Sequence, residues 1–155
     1  MTTQNQGRRE AELYQEIYKN VTMGAEALTD IIDRVGDGDL KTELGTELAG
    51  YEKLASEARQ ALFDMGITPR EQSAVAKLSA KAGMAMNTMM DSTTSHLAQM
   101  TIKGSTMGTT DLLRKINEFE CETKEGGKEF QNAVDLARRT VDFEEDCIEK
   151  LKAYL

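Results

Sequence analysis

Apolar residues recur every three or four places in four separate stretches of the chain, the spacing of helices laid lengthwise against one another. The first stretch runs Tyr14, Ile17, Val21, Gly24, Leu28, Ile31, Val35, with Glu12, Glu16, Lys19, Asp30, Asp33 and Arg34 falling off the seam. The second runs Leu44, Leu48, Tyr51, Ala55, Ala58, Leu62, Met65. A third, richer in small and flexible side chains, runs Val75, Leu78, Ala82, Met86, Met89, Thr93, His96, Met100. The last runs Phe130, Val134, Ala137, Val141, Glu144, Ile148, Leu151, Leu155. No segment alternates with the two-residue period of a strand.

Between the stretches stand helix stops and starts. Gly36-Asp37-Gly38-Asp39 ends the first helix and supplies Asp37 or Asp39 as N-cap of the second. Its likeness to a calcium loop fails, because Leu40 and Lys41 intervene where further oxygen ligands are needed. Gly66 is a natural residue to end the second helix, and Thr68-Pro69-Arg70-Glu71 reads as a capping box opening the third. A connection this short makes the neighbouring helices antiparallel. After Met100 the register fails at Lys103-Gly104-Ser105-Thr106-Met107-Gly108, and Leu112, Ile116 and Phe119 begin a new stripe, so a break or kink is expected. Glu125-Gly126-Gly127-Lys128 is the last stop. The expected architecture is one all-α domain spanning 1–155, an antiparallel up-down four-helix bundle with helices at about 8–35, 40–65, 69–102 and 128–154 and an extra short helix at about 109–123, after a frayed polar lead-in.

Composition narrows the function classes. With 27 acidic against 19 basic residues the net charge is −8, which argues against binding phosphates of nucleic acid or anionic lipid. No apolar run reaches the roughly 20 residues that cross a bilayer, and residues 1–10 lack the apolar core of a signal peptide. Cys121 and Cys147 are too few and too distant for a disulfide framework, so both read as reduced thiols of a cytoplasmic protein.

Two ionisable residues occupy seam positions, His96 and Glu144. Each needs a partner if buried. They could pair, share a metal, or be satisfied separately, Glu144 against Arg138 or Arg139. Glu43 and Glu47 stand one turn apart and could form half a carboxylate site, but lie off the Leu44/Leu48 seam, which places them on a solvated face. Met84, Met86, Met89, Met90 and Met100 read as core filler rather than a Cu(I) site. Ser92 to Ser95 with one histidine make no persuasive nucleophilic triad.

Four amphipathic helices with polar interior residues, the segment from His96 through Gly108, and the closing Glu145-Asp146-Cys147-Ile148-Glu149-Lys150-Leu151-Lys152 resemble small bacterial ferritin-like bundle proteins without an assigned activity. The resemblance implies a ferritin-like fold. It does not carry di-iron chemistry, because that needs Glu-x-x-His on two helices and the residue three before His96 is Thr93. The resulting expectation is a non-enzymatic helical scaffold without a cofactor, forming a homodimer or meeting another protein partner. The alternatives are a metal binder with a depleted site near His96 and Glu144, holding a transition metal, and a sensor with a small apolar ligand between its helices.

Overall fold

The computed structural model of the chain describes residues 3–71, 91–122 and 128–155, and among them all regular structure is helical. Helix α1 spans Thr3–Ile31, α2 Gly38–Asp64, α3 Thr94–Glu122 and α4 Lys128–Leu151, with single 3-10 turns at Ile32–Arg34 and Lys152–Tyr154. The third stretch from Val75 to Met89, the methionines at 84, 86, 89 and 90, and the glycine stop at 126–127 lie outside the described residues.

Local chemistry explains most of the ends. Asp37 caps α2, its side chain accepting from Leu40 N at 2.8 Å. Gly66, at φ +73°, closes α2 through Ile67 N to Leu62 O and Gly66 N to Phe63 O, both 2.9 Å. Those two bonds are the paired closure that a left-handed glycine permits. Residues 68–71 do not start a helix. Gln15 instead accepts from Arg70 N at 2.9 Å and donates to Thr68 O, while Tyr18 donates to Glu71 at 3.2 Å. These bonds fix the segment against α1. The cap of α3 is Thr93, whose hydroxyl accepts from His96 N.

Two further expectations are corrected. Helix α1 begins at Thr3, well inside the supposed lead-in. The expected break at Lys103–Gly108 is absent: α3 runs unbroken through Gly104 and Gly108, and 109–122 is its second half rather than a separate helix.

The four helices pack on one core. Among the seam residues Leu28 and Val141 are buried and Leu48 is half-buried, with Leu13, Ile17, Leu97, Ile116 and Leu151 at the centre. Helix α1 packs on α2, α3 and α4, and α4 also meets α2 and α3. Interhelical ion pairs sit at the surface, Arg139 with Glu57 at 2.6 Å and Arg138 with Glu120 at 2.7 Å. At one end Arg9 pairs with Glu122 and lies 4.9 Å over the Phe119 ring, which stacks on Phe130. No helix among the described residues is long and apolar enough to cross a membrane.

Candidate functional site

Halfway along the bundle the core stops being apolar. Asn20 of α1, Glu47 and Tyr51 of α2, Ser105 and Thr109 of α3, and Glu144 of α4 converge there, with Glu47 and Glu144 only 2% and 1% exposed. Each polar side chain occupies a position where the helical period would place a hydrophobe. On α2 the buried line is Leu40, Leu44, Glu47, Tyr51, Leu54, Ala58, Leu62. On α3 the line through Ala98, Ser105, Thr109, Leu112, Ile116 and Phe119 passes two hydroxyls.

Glycines let the backbones close round these groups. A β-carbon on Gly24 would stand 2.7 Å from the Tyr51 ring, and one on Gly108 2.7 Å from Asn20 Oδ1 and 3.0 Å from Glu144 Oε1. Such approaches are shorter than carbon packing allows. We expect Gly24→Ala to destabilise the protein by about 2 kcal/mol in urea titration, because displacing the Tyr51 ring outweighs a helix-propensity gain of about 1 kcal/mol. A stabilised variant would contradict this packing.

The two carboxylates differ in how they are satisfied. Glu144 accepts from Thr109 at 3.1 Å, from Tyr51 at 3.3 Å and from Asn20 at 3.5 Å, and Asn20 also donates to Gly108 O at 3.3 Å. The Ser105 hydroxyl lies 3.4 Å from that of Tyr51. Burial still pushes the Glu144 carboxyl up to about 7, against the pull of the three donors. No donor meets either Glu47 oxygen in full hydrogen-bonding geometry, although the Ser105 hydroxyl is close enough to favour its charged form. Burial raises it to about 7 as well, helped by the charges of Glu43 and Glu144 and opposed by the nearby Ser105 hydroxyl and Lys150. Beside it the free Cys147 thiol is pushed up to about 12, chiefly by burial and then by the Glu47 charge, so it is a poor nucleophile at neutral pH. Cys121 is also free, and exposed.

Glu47, Tyr51, Ser105 and Glu144 line a cavity of about 470 Å³ between α1 and α3. Its other walls are largely apolar or small: Met23, Gly24, Ala27, Leu28 and Ile31 from α1, and Met100, Gly104, Met107, Gly108 and Leu112 from α3. Among the described residues, Glu16, Lys19, Asn20, Thr101, Asp111 and Lys115 make up the rest of the lining.

The structure does not bring the two sequence candidates together. His96 sits in the first turn of α3, its Nδ1 3.9 Å from Asp91 and its Nε2 buried without a partner. Glu144 bonds Thr109, thirteen residues further along α3, which separates the two by about 20 Å of helix. Nor does Glu144 meet Arg138 or Arg139, which pair with Glu120 and Glu57. Glu47, expected on a solvated face, is the most isolated buried charge among the described residues. Met100 contributes to the cavity wall. Among the described residues no three His, Cys, Asp or Glu side chains are grouped to hold a metal.

No family model matches the chain, no curated protein matches its sequence, and no solved structure matches its fold.

Proposed function

We propose that this chain is a small-molecule-binding helical bundle of ferritin-like topology, whose cavity between α1 and α3 holds a largely apolar ligand. The observation that carries the reading is the cavity itself. It has the size of a ligand pocket, mostly apolar walls, and a few polar groups converging at one place, two of them with raised proton affinity. The lip of the cavity carries the exposed Met23 and Met107, an apolar opening that a scaffold role by itself does not call for.

Contact pairs support the topology. Gly24 meets Tyr51 and Ile32 meets Gly45, so α1 and α2 run oppositely. Gly108 meets Asn20 and Phe119 meets Arg9, which makes α3 opposite to α1. Helices α2 and α3 then share a direction, the arrangement of bundles with one long crossover rather than strict up-down alternation. The residues three after Glu47 and Glu144 are Gly50 and Cys147, so neither glutamate opens the Glu-x-x-His motif of di-iron bundles, and Asn20 and Thr109 turn inward from the other two helices. The donor set suits a polar handle on an organic ligand better than a transition metal.

The test is a thermal-shift panel of small amphipathic molecules on the wild type and on Gly104→Leu. Gly104 lines the cavity and a β-carbon there meets nothing within 4 Å, so leucine at this position is admitted at the cavity wall and gains about 1 kcal/mol of helix propensity. A true ligand raises the wild-type melting temperature by mass action and leaves the plugged variant unmoved. Equal shifts in both proteins would place binding elsewhere.

A further inference from the structure

Glu47 poses a problem that its neighbours do not solve. It is a carboxylate almost wholly removed from water, lining the cavity, with neither oxygen hydrogen-bonded. A buried carboxyl of this kind either keeps its proton or ionises against a partner of opposite charge, and the chain places no cation on it. Resting on the ligand-binding reading above, we propose that the cavity recognises an amphipathic amine: an alkyl or arylalkyl body against the α1 and α3 walls, and an ammonium group seated on Glu47 and Glu144.

Charge supports the sign. Among the described residues the cavity is lined by four acids, Glu16, Glu47, Asp111 and Glu144, against two lysines, Lys19 and Lys115. An ammonium group offers three donors and no acceptor. That matches the empty oxygens of Glu47 and the Glu144 carboxylate, which is already oriented by Thr109, Tyr51 and Asn20. A carboxylate or phosphate ligand would meet like charge at the same place. A bare divalent ion is poorly served, because no third carboxylate, histidine or cysteine among the described residues is grouped with the two glutamates.

Binding would also be linked to protons. The ionisable groups about Glu47 are Glu43 and Tyr51 on its own helix and Glu144, Cys147 and Lys150 on α4, with the neutral Ser105 on α3 and Asn20 on α1. Tyr51 and Cys147 stay protonated near neutrality, so the two glutamates are the groups that must release a proton to receive the cation. Amine affinity therefore rises from pH 6 to pH 8.

The experiment is calorimetric titration of the full chain with phenethylamine, with its neutral analogue 2-phenylethanol and with 3-phenylpropionate, at pH 6 and pH 8. At pH 8 the amine is expected to bind at least about tenfold more tightly than the alcohol, as a charge-assisted contact provides. The propionate should bind most weakly, and Glu47→Gln should erase the amine's advantage over the alcohol. If alcohol and amine bind alike, or the preference survives in Glu47→Gln, the cation proposal is overturned and the cavity reading stands. If none of the three binds, both fall. Tight binding of zinc or magnesium alone, without amine preference, overturns the amine and restores a metal at this place.

Discussion

Glu47→Gln is expected to melt about 6–12 °C above the wild type at pH 8 and level with it at pH 4. The sign follows from where the proton sits. In the unfolded chain a glutamate loses its proton near 4.5, whereas the folded protein holds the Glu47 proton to about 7. Below pH 4.5 both states are protonated and burial of the neutral acid carries no charge penalty. Between about 4.5 and 7 the unfolded state ionises first, and wild-type stability falls with rising pH. Above 7 the full cost remains, about 3 kcal/mol for this residue. Glutamine keeps the shape and removes the charge, so it recovers that amount at pH 8 and almost nothing at pH 4. For a chain of this length about 3 kcal/mol corresponds to the shift stated. Melting curves at the two pH values check it. A gain equal at both would mean that packing is responsible, and a loss at pH 8 would mean that the Glu47 charge already has a partner.

A cost of that size is a large share of the 5–15 kcal/mol that holds a domain folded. Residues that weaken the free protein and sit at the wall of a cavity are the expected residue of function, since activity and stability draw on the same positions. Glu144 shows the contrast. Its carboxyl is as buried, yet three donors from three helices are arranged round it. Glu144 is organised by the protein, and Glu47 is left for something else to complete.

Much of the fold was legible in the residue pattern, and its failures cluster at this site. The seams of α1 and α4 place Ile17, Val21, Leu28, Val134, Val141 and Leu151 inside, where they are. Gly66 and Asp37 end and cap helices as their chemistry demands. Helix α3 was misread because Gly104, Ser105, Thr106 and Gly108 are poor helix formers with no hydrophobe among the inward ones. Tertiary contacts override that preference, and the small residues are what allow Asn20 and Glu144 to reach α3. Glu47 was misread for a related reason. Tracing the α2 seam through Leu48 puts Glu47 outside, whereas the equally regular line through Leu40, Leu44, Tyr51 and Leu54 puts it inside. Counting apolar residues prefers the first line and burial follows the second. Local rules broke where polar groups were placed in the core on purpose. His96 drew attention as the lone histidine, but it sits in the first turn of α3 beside Asp91, far from the bundle's middle.

Tyr51 should separate the site's hydrogen bonding from its packing. The ring is buried, backs onto Gly24 and meets Phe143 edge-on, with centroids 5.0 Å apart and planes at 86°. Its hydroxyl donates to Glu144 at 3.3 Å, long for such a bond. Tyr51→Phe therefore costs about 1.5 kcal/mol at pH 8, at the low end for a bond to an ionised group, and less at pH 5, where Glu144 is protonated. Tyr51→Ala costs about 4 kcal/mol at both pH values, because the ring's contacts go and the cavity grows. Urea titrations of the two variants at pH 5 and pH 8 give all four numbers. If Tyr51→Phe is silent at pH 8, the hydroxyl does not hold Glu144, and the carboxylate would have to be oriented by Thr109 and Asn20 alone. If the two variants cost the same, the ring contributes little and the glycine at 24 is not there to admit it. The separation matters because the amine site needs both parts: a ring that shapes the floor of the cavity, and a hydroxyl that keeps one carboxylate facing the ligand while Glu47 stays free to receive it.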